Sequence, residues 1–324
     1  MKNKIKYSIV VAVYNRPEEM EELLYSIKNQ SFRNFELIIV DDGSQMSSRE
    51  VFEKYNKELN ISYFFIENKG PALARNFGVF KAIGEWIIFF DSDCTIPDNY
   101  FYEVESFLEN NQIDFFGGPD MMDKNFSYLQ KSINFSMTSF FTTGGIRGSE
   151  KSVDKFLPRS FNMGIKKEAF DTVKGFSDIR QYGEDLDLSY KLIFNGKLSA
   201  LIPKAKVYHK RRTNLVNFLK QMFKSGKGRR FLDVKYEGVF RLFHLFPSLF
   251  FTGFITGFIL FLFDNTLSIS IHNLYGSYFL IIFLSSSYIN MNPIIGFLSV
   301  ITTLTQFTGY GIGYIMALFD NWYY

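Results

Sequence analysis

The apolar residues of the N-terminal third fall into short runs, separated by stretches in which they recur every three or four residues. Short runs of this kind are typical of strands buried on both faces of a sheet, and the wider spacing is typical of amphipathic helices. The runs predict strands at residues 7–13, 35–40, 61–66 and 85–90. The intervening stretches predict helices at residues 18–30, 48–60 and 71–83. Because strand and helix alternate, we expect an α/β domain with a mostly parallel sheet and right-handed crossovers.

The C-terminal third has a different pattern, with long apolar stretches at residues 244–263, 274–289 and 294–319. The first and third reach the roughly 20 residues that a membrane-spanning helix needs, whereas the middle one is shorter. Lys and Arg are absent after Arg241. The three stretches predict about three transmembrane helices, and because basic residues are retained on the cytoplasmic side of a membrane, we expect residues 204–241 to lie in the cytosol. Buried core helices are the alternative, and they fit segments this long and this poor in charge less well.

Positive charge is concentrated between these two regions. The whole chain has a net charge of +3, yet residues 204–241 contain 12 Lys or Arg and only two acidic residues. Within this segment, residues 213–223 place apolar side chains on one helical face and lysines opposite, a pattern typical of helices lying in a membrane interface. The run at 224–230 suits anionic lipid headgroups beside a membrane, although alone it would equally suit nucleic acid. The membrane context favours the lipid bilayer as partner and no nucleic acid.

These patterns predict a cytosolic domain at 1–212, a basic amphipathic interface segment at 213–243 and a membrane domain at 244–324. The single cysteine, Cys94, excludes an internal disulfide and fits a reducing compartment. The apolar run near the N-terminus is too short for a secretory signal. We therefore expect a multi-pass protein of the inner or plasma membrane with its N-terminal domain in the cytosol, and the oligomeric state stays open.

The apolar run that ends at Phe90 is followed at once by Asp91-Ser92-Asp93. In an open α/β sheet, ligands bind in the crevice outside the carboxyl ends of the strands. Two carboxylates there repel each other unless a cation lies between them. The pair is therefore a candidate Mg²⁺ or Mn²⁺ site that also engages substrate phosphates. An acidic, solvated turn is the alternative explanation for an isolated pair of this kind.

Four motifs lie at predicted strand ends or at the start of a predicted helix: Val13-Tyr14-Asn15, Val40-Asp41-Asp42-Gly43-Ser44, Ala74-Arg75-Asn76-Phe77-Gly78 and Asp91-Ser92-Asp93. Three more follow: Phe161-Asn162-Met163-Gly164-Ile165, Gly175-Phe176 and Gly183-Glu184-Asp185-Leu186-Asp187-Leu188. In this order they resemble the family 2 glycosyltransferases, over roughly residues 7–212. The resemblance implies a GT-A fold, a Rossmann-like sheet that binds a nucleotide-diphosphate sugar, here followed by C-terminal transmembrane helices. At Ala12 many members have Pro, which we expect to alter only the loop.

The resemblance assigns nucleotide-sugar binding to residues at these strand ends and in the basic segment. Asp42 would accept a hydrogen bond from the base, Tyr14 would stack on it, and Arg75 would reach the diphosphate. Taken alone, Asp42 equally suits an Asx turn, Tyr14 suits loop packing, and Arg75 suits a surface position. Arg229 and Arg230 are carried over from membrane-bound members, although their spacing departs from the usual Gln-x-x-Arg-Trp. The full predicted set is Val13, Tyr14, Asn15, Asp41, Asp42, Arg75, Asp91, Ser92, Arg229 and Arg230.

The resemblance also implies a metal shell and a catalytic base. Asp93 would bind Mn²⁺ or Mg²⁺ directly, Asp91 partly through water or the ribose, and His209 would complete the shell, although a histidine beside a basic run also suits a plain surface position. Asp185 would be the general base, with Glu184 or Asp187 orienting the acceptor. Helix capping is the alternative for this acidic cluster, but a cap needs one acid and three occur here.

The expected function is therefore that of a metal-dependent inverting glycosyltransferase in cell-envelope glycan or glycoconjugate synthesis. It would move a sugar from a nucleotide-diphosphate donor, for which UDP is the family-level expectation, to a hydroxyl of a membrane-associated and lipid-linked acceptor. A polyprenyl-phosphate sugar synthase is one alternative, but its acceptor is already an anion and needs no base. A processive polysaccharide synthase is a further alternative, but it would usually carry more spans to form a channel. A non-catalytic membrane protein with a degenerate GT-A domain is the alternative from another class.

Overall fold

The computed structural model describes residues 4–123, 125–144, 156–179, 183–263 and 265–320. The chain divides into two compact units. The first comprises residues 4–123, 156–179 and 184–210, and the second comprises residues 125–144, 183, 211–263 and 265–320. The division after residue 210 lies close to the domain boundary expected at 212, but residues 125–144 also belong to the second unit.

The strands are β1 Tyr7–Val13, β2 Phe35–Asp42, β3 Ile61–Ile66, β4 Trp86–Phe90, β5 Cys94–Thr95, β6 Phe115–Gly117, β7 Asp120–Met121, β8 Asn162–Lys166, β9 Ser199–Leu201 and β10 Val207–His209. The helices are α1 Pro17–Lys28, α2 Arg49–Tyr55, α3 Pro71–Lys81, α4 Tyr100–Asn110, α5 Tyr128–Thr138, α6 Phe140–Thr143, α7 Lys167–Thr172, α8 Glu184–Phe194, α9 Leu215–Lys235, α10 Phe246–Leu260, α11 Asn265–Asn290 and α12 Pro293–Met316. The first unit holds all ten strands together with α1–α4, α7 and α8.

The main sheet of the first unit has seven strands in the order β3-β2-β1-β4-β8-β6-β9. Strands β1, β2, β3 and β4 pair in parallel, as the alternating pattern predicts. Strand β8 runs antiparallel between β4 and β6, so the sheet is mixed. A smaller sheet has the order β5-β10-β7.

The parallel strands are apolar throughout because both of their faces are buried. Every residue of β4 is buried, and apolar clusters cover the two faces of the sheet. The register aligns Val13 at the end of β1 with Asp41 near the end of β2. Because β4 lies beside β1 in the same direction, the polar residues that follow these strands all lie at one edge of the sheet.

In the second unit, α12 packs against α5, α9, α10 and α11. Glycine allows α12 to approach α9 closely, since a Cβ on Gly313 would lie 2.0 Å from the carbonyl oxygen of Phe223. Helix α9 is longer than the predicted 213–223, and the basic run at 224–230 forms part of it.

Among the described residues, two helical segments are long and apolar enough to cross a membrane by length and composition, Leu242–Leu260 and Asn265–Asn290. The third expected span, at 294–319, does not pass this test. Its helix, α12, carries the buried polar residues Thr302, Thr303 and Gln306, which lower its hydropathy. The structure therefore supports two candidate spans where about three were expected.

Candidate active site

The end of β2 is held by two buried carboxylates with different partners. Asp42 accepts hydrogen bonds from the backbone N–H groups of Lys69 and Gly70, at 2.8 and 2.9 Å. Burial raises the pKa of Asp42, and the two backbone donors offset part of that effect. Asp41 accepts the N–H of Ser44 at 2.8 Å, so Asp41 holds the turn that was the alternative role for Asp42. Asp42 instead ties the end of β2 to the loop that leads into α3.

The loop after β1 is tied to the loop after β2 through Asn15. Its side-chain oxygen accepts the N–H groups of Gln45 and Met46, and its own N–H donates to Ser44. Asn15 has a φ of 54°, which asparagine adopts more readily than most residues. Tyr14 beside it is 49% exposed, so its ring is open to a ligand.

The acidic pair after β4 divides between two arginines from different elements. Asp93 is hydrogen-bonded by Arg16, and its other oxygen lies 3.2 Å from Nε2 of His209. Asp91 accepts from Arg75 at 2.8 Å and from the Ser160 hydroxyl at 3.4 Å. The solvated turn that was the alternative explanation does not fit, because both acids are paired. Ser92 between them is buried.

The two groups at the predicted metal position shift each other's pKa. For Asp93, burial opposes the charged form, but His209 and Arg16 outweigh it and hold the pKa of the carboxyl well below its usual value. For His209, burial likewise opposes the charge, but Asp93 and Asp120 outweigh it and raise the pKa to about 9. At neutral pH the carboxylate is therefore ionised and His209 is protonated in this pairing, so a cation that binds here has to displace the proton of His209.

The spacing of these groups fits a divalent ion. Adjacent ligands of an octahedral ion at about 2.1 Å from the metal lie about 3 Å apart, and the Asp93–His209 spacing is 3.2 Å. Carboxylate and imidazole suit Mn²⁺, while Mg²⁺ favours oxygen. The buried thiol of Cys94 lies nearby, but burial raises the pKa of this thiol well above its ordinary value. Asp93 and His209 are thus the residues that fit a hard ion.

Arg75 connects the acidic pair to the second acidic cluster. Its guanidinium donates to Asp91 at 2.8 Å and to Glu184 at 3.2 Å, and it lies over the ring of Phe176. Its side chain is only 7% exposed, so it is not the surface charge of the alternative reading. In this structure its partners are carboxylates, and its contact with a diphosphate stays a prediction.

Glu184 and Asp185 begin α8 and lie close to the guanidinium of Arg75. Asp185 lies 3.6 Å from Arg159, and its other oxygen accepts the N–H of Leu186 at 2.7 Å. Burial and the neighbouring Asp185 raise the pKa of Glu184. Both acids thus combine a place in the first turn of a helix, which suits negative charge, with cationic partners from other elements.

Asp187 differs from the expectation that it orients the acceptor. Its side chain is fully buried, accepts the Ser177 hydroxyl at 2.6 Å and lies 3.8 Å from Lys191. These contacts hold the segment before α8 against the helix. A side chain enclosed in this way is not placed to contact an acceptor, so Glu184 is the better candidate for that role.

Arg229 and Arg230 lie in α9 of the second unit. Within that unit Arg229 is 3.2 Å from Asp233 and donates to His244. Arg230 lies close to Tyr314, whose pKa it lowers against the stronger effect of burial. Their role towards a nucleotide sugar stays a prediction.

Four contributors to the site were not identified in the sequence: Arg16, Arg159, Ser160 and Asp120. Arg16 follows directly after the Val13-Tyr14-Asn15 motif, so its position at a strand end was an available signal. Asp120 lies 3.9 Å from Nδ1 of His209, a contact that depends on the small sheet. Nothing in the local sequence indicates that Arg159 and Ser160 belong to the site.

Comparison with known proteins identifies the family and the fold. The model of the family "Glycosyl transferase family 2" matches residues 8–173. The chain is 29% identical over 211 residues to the minor teichoic acid biosynthesis protein GgaB of Bacillus subtilis, covering 63% of this chain and 23% of that protein. The present chain spans less than a fifth of the length of uncharacterized glycosyltransferases from Rickettsia conorii and Rickettsia bellii.

Two solved structures share the fold at low sequence identity. The mannosyltransferase PcManGT of Pyrobaculum calidifontis, in complex with GDP-Man and Mn²⁺, has a TM-score of 0.67 at 13% identity, covering 94% of this chain and 88% of that one. Residues 1–349 of S. aureus TarS, in complex with UDP-GlcNAc, have a TM-score of 0.50 at 17% identity, covering 96% and 90%. The expected GT-A fold is therefore confirmed.

Proposed function

The chain belongs to glycosyl transferase family 2, and on this premise we propose that it transfers a sugar from a nucleotide-diphosphate sugar to an acceptor hydroxyl. The observation that carries the proposal is the Arg75 bridge, which joins Asp91 to Glu184 within the first unit. Direct displacement needs a group that supports the departing diphosphate and a base that activates the incoming hydroxyl. The bridge joins the acidic pair that would hold the supporting cation to the acidic cluster that would supply the base.

The donor would lie along the edge formed by the ends of β1, β2 and β4. Asp42 already accepts two backbone N–H groups, but each carboxylate oxygen has a second lone pair, which suits an N–H of a nucleobase. The exposed ring of Tyr14 suits stacking on the base. The neighbouring structures contain GDP-Man and UDP-GlcNAc, and we propose UDP as the nucleotide here.

Asp93 and His209 would hold Mn²⁺ or Mg²⁺, with Asp91 acting through water or the ribose. When bound, such an ion neutralises the charge that develops on the diphosphate as the bond to the sugar breaks. Arg16, which pairs with Asp93, would move towards the diphosphate when the cation takes its place. The mannosyltransferase neighbour was solved with Mn²⁺, which supports the use of a divalent cation.

Asp185 would act as the general base that takes the proton of the acceptor hydroxyl. Arg159 pairs with one of its oxygens and the Leu186 N–H binds the other, so the carboxylate is held in one orientation. Glu184, fixed by Arg75, would position the acceptor. A single displacement of this kind inverts the configuration at the anomeric carbon.

We further propose that the acceptor belongs to a cell-envelope glycan or glycoconjugate and is lipid-linked. GgaB is named for teichoic acid biosynthesis, which supports an envelope acceptor. The two apolar helices support attachment to a membrane, with the first unit on the cytosolic side. A polyprenyl-phosphate sugar synthase is disfavoured by the Glu184-Asp185 cluster, since a phosphate acceptor needs no base.

Membranes that contain the full chain, supplied with a panel of nucleotide sugars, test this function. We expect release of the nucleoside diphosphate with one donor, and a product whose anomeric configuration, read by NMR, is inverted. Transfer to polyprenyl phosphate alone would identify the rival synthase. No turnover with any donor, in membranes that also supply the host's lipid-linked glycans, would favour a degenerate domain.

Removal of divalent cations is expected to stop turnover, because the diphosphate would then leave without charge neutralisation. Chelation should lower the rate by roughly 10²-fold or more, and Mn²⁺ or Mg²⁺ added in excess of the chelator should restore it. The rate of nucleoside diphosphate release measures both. Full activity in chelator would contradict the role assigned to Asp93 and His209.

A further inference from the structure

Three different metal-ligating groups meet just after β4: the carboxylate of Asp93, the thiol of Cys94 and the imidazole of His209. Their donor atoms all lie within 4.8 Å of one another. A carboxylate and an imidazole satisfy a hard ion such as Mn²⁺, but a sulfur ligand changes the preference towards softer ions. Cys94 has no part in the sugar transfer proposed above and also packs in the apolar core of the first unit, so a role as a metal ligand has to be argued from its geometry.

The small sheet fixes this arrangement. Strands β5 and β10 are antiparallel, and Cys94 lies directly opposite His209. Directly opposed residues of antiparallel strands project from the same face, with Cβ atoms about 4.5–5.5 Å apart. The sulfur and the imidazole are therefore held side by side by backbone pairing, and not by a flexible loop.

The two remaining donors are oriented by neighbours. Arg16 takes one oxygen of Asp93, which leaves the other oxygen 3.2 Å from Nε2 of His209. Asp120 lies 3.9 Å from Nδ1 on the opposite side of the same ring. In zinc sites a carboxylate commonly pairs with one ring nitrogen of a histidine while the other ring nitrogen binds the metal.

We propose that Asp93, Cys94 and His209 form a tetrahedral Zn²⁺ site, with water in the fourth position, that competes with the hard cation of the transfer reaction. Donor atoms of such a site lie about 3.3–3.6 Å apart, given bonds of about 2.0–2.3 Å. The present cluster therefore has to contract by about 1 Å, and binding releases two protons to solvent, one from the Cys94 thiol and one from the His209 imidazolium. Zn²⁺ also generally binds such ligands more tightly than Mn²⁺ does.

The single cysteine allows a direct test with Co²⁺, which replaces Zn²⁺ in tetrahedral sites. The purified full chain, titrated with Co²⁺ alone, should develop the near-ultraviolet thiolate-to-cobalt absorption and the intense visible bands of tetrahedral Co²⁺. Because Cys94 is the chain's only cysteine, the thiolate band can come from no other residue. Zn²⁺ should abolish the bands at one equivalent, whereas excess Mg²⁺ should not. Co²⁺ binding without a thiolate band would overturn the proposal.

This binding test is independent of the proposed function, and only the following inhibition test rests on it. Zn²⁺ should inhibit Mn²⁺-supported turnover, and Cys94→Ser should raise the half-inhibitory Zn²⁺ concentration by at least about tenfold. Each variant is compared with its own Mn²⁺-supported rate, and its thermal melting in chelator shows whether it folds. Equal Zn²⁺ sensitivity in a folded Cys94→Ser protein would exclude the sulfur as a ligand.

Asp120→Asn supplies a contrasting variant. Loss of an outer carboxylate typically costs about 10–100-fold in metal affinity, and it acts through His209, which both ions share. Asp120→Asn should therefore weaken Zn²⁺ and Mn²⁺ together, whereas Cys94→Ser should weaken Zn²⁺ selectively. If Cys94→Ser reduced the affinity for both ions equally, Cys94 would have only a structural role and the proposal would fail.

Discussion

Replacing Asp185 with Asn is expected to lower kcat by roughly 10²–10⁴-fold, the range that a positioned general base contributes. Asn has the same shape and can still accept the N–H of Leu186, which Asp185 binds at 2.7 Å. It has no carboxylate to receive the acceptor's proton, so the loss should fall on kcat more than on the KM for the donor. Initial rates of nucleoside diphosphate release from membranes containing the full chain measure both quantities.

Asp171→Asn is a matched control, since it makes the same charge change at an exposed acid of α7 in the same unit. We expect its rate to stay within about twofold of the parent, because substitutions at exposed positions generally have small effects. Glu184→Gln is the informative comparison, because it releases one of the two carboxylates that hold Arg75. If Glu184→Gln lost turnover while Asp185→Asn kept it, the base would be Glu184 and the assignment of Asp185 would be wrong.

The strands that carry the site follow from the sequence, because burial on both faces demands unbroken apolar runs. Strands β1 and β3 have the predicted bounds, and β2 extends to Asp42. Helix ends are less well predicted: α2 stops at Tyr55, where a helix to residue 60 was expected. A helix end depends on capping and on packing against its neighbours, which periodicity does not register.

The pairing of side chains across the site depends on the order of strands in the sheet, which the pattern does not contain. Arg16 and Asp93 are 77 residues apart in the chain, and they meet because β1 lies beside β4. Alternation of strand and helix predicts a parallel sheet but leaves this neighbour relation open. The antiparallel strand β8, which brings Arg159 and Ser160 to the site, was likewise not indicated by the alternation.

The burial of Asp187 could not be predicted from the acidic motif alone. Residues one apart and two apart on a helix do not face each other, so helical spacing does not decide whether Glu184 or Asp187 accompanies Asp185. The structure has Asp185 beside Arg159 and Asp187 fully buried beside Ser177. Counting acids in a motif therefore overestimates how many of them are placed to contact a substrate.

The second large effect is expected for Asp93→Asn, which should lower turnover by roughly 10²–10³-fold. A bound metal ion stabilises the charge of the transition state by several kcal/mol, and losing that stabilisation slows the reaction by about this factor. Asn has one neutral acceptor oxygen in place of the charge that lies between Arg16 and His209. Mn²⁺ binding should weaken in parallel, and the loss of the free-ion EPR signal on titration of the full chain measures it without reference to activity. Asp98→Asn, at an exposed acid five residues further on, should bind Mn²⁺ like the parent.

The decisive comparison combines the substitution with chelation. If Asp93 acts through the cation, the rate of Asp93→Asn should equal that of the parent in chelator, and chelator should lower the variant's rate no further. Two changes that remove one interaction are not additive, whereas independent changes multiply in rate. A variant that bound Mn²⁺ normally, or that lost another 10²-fold on chelation, would show that Asp93 acts apart from the metal. In that case its pairing with Arg16 and His209 would be the reason for its effect.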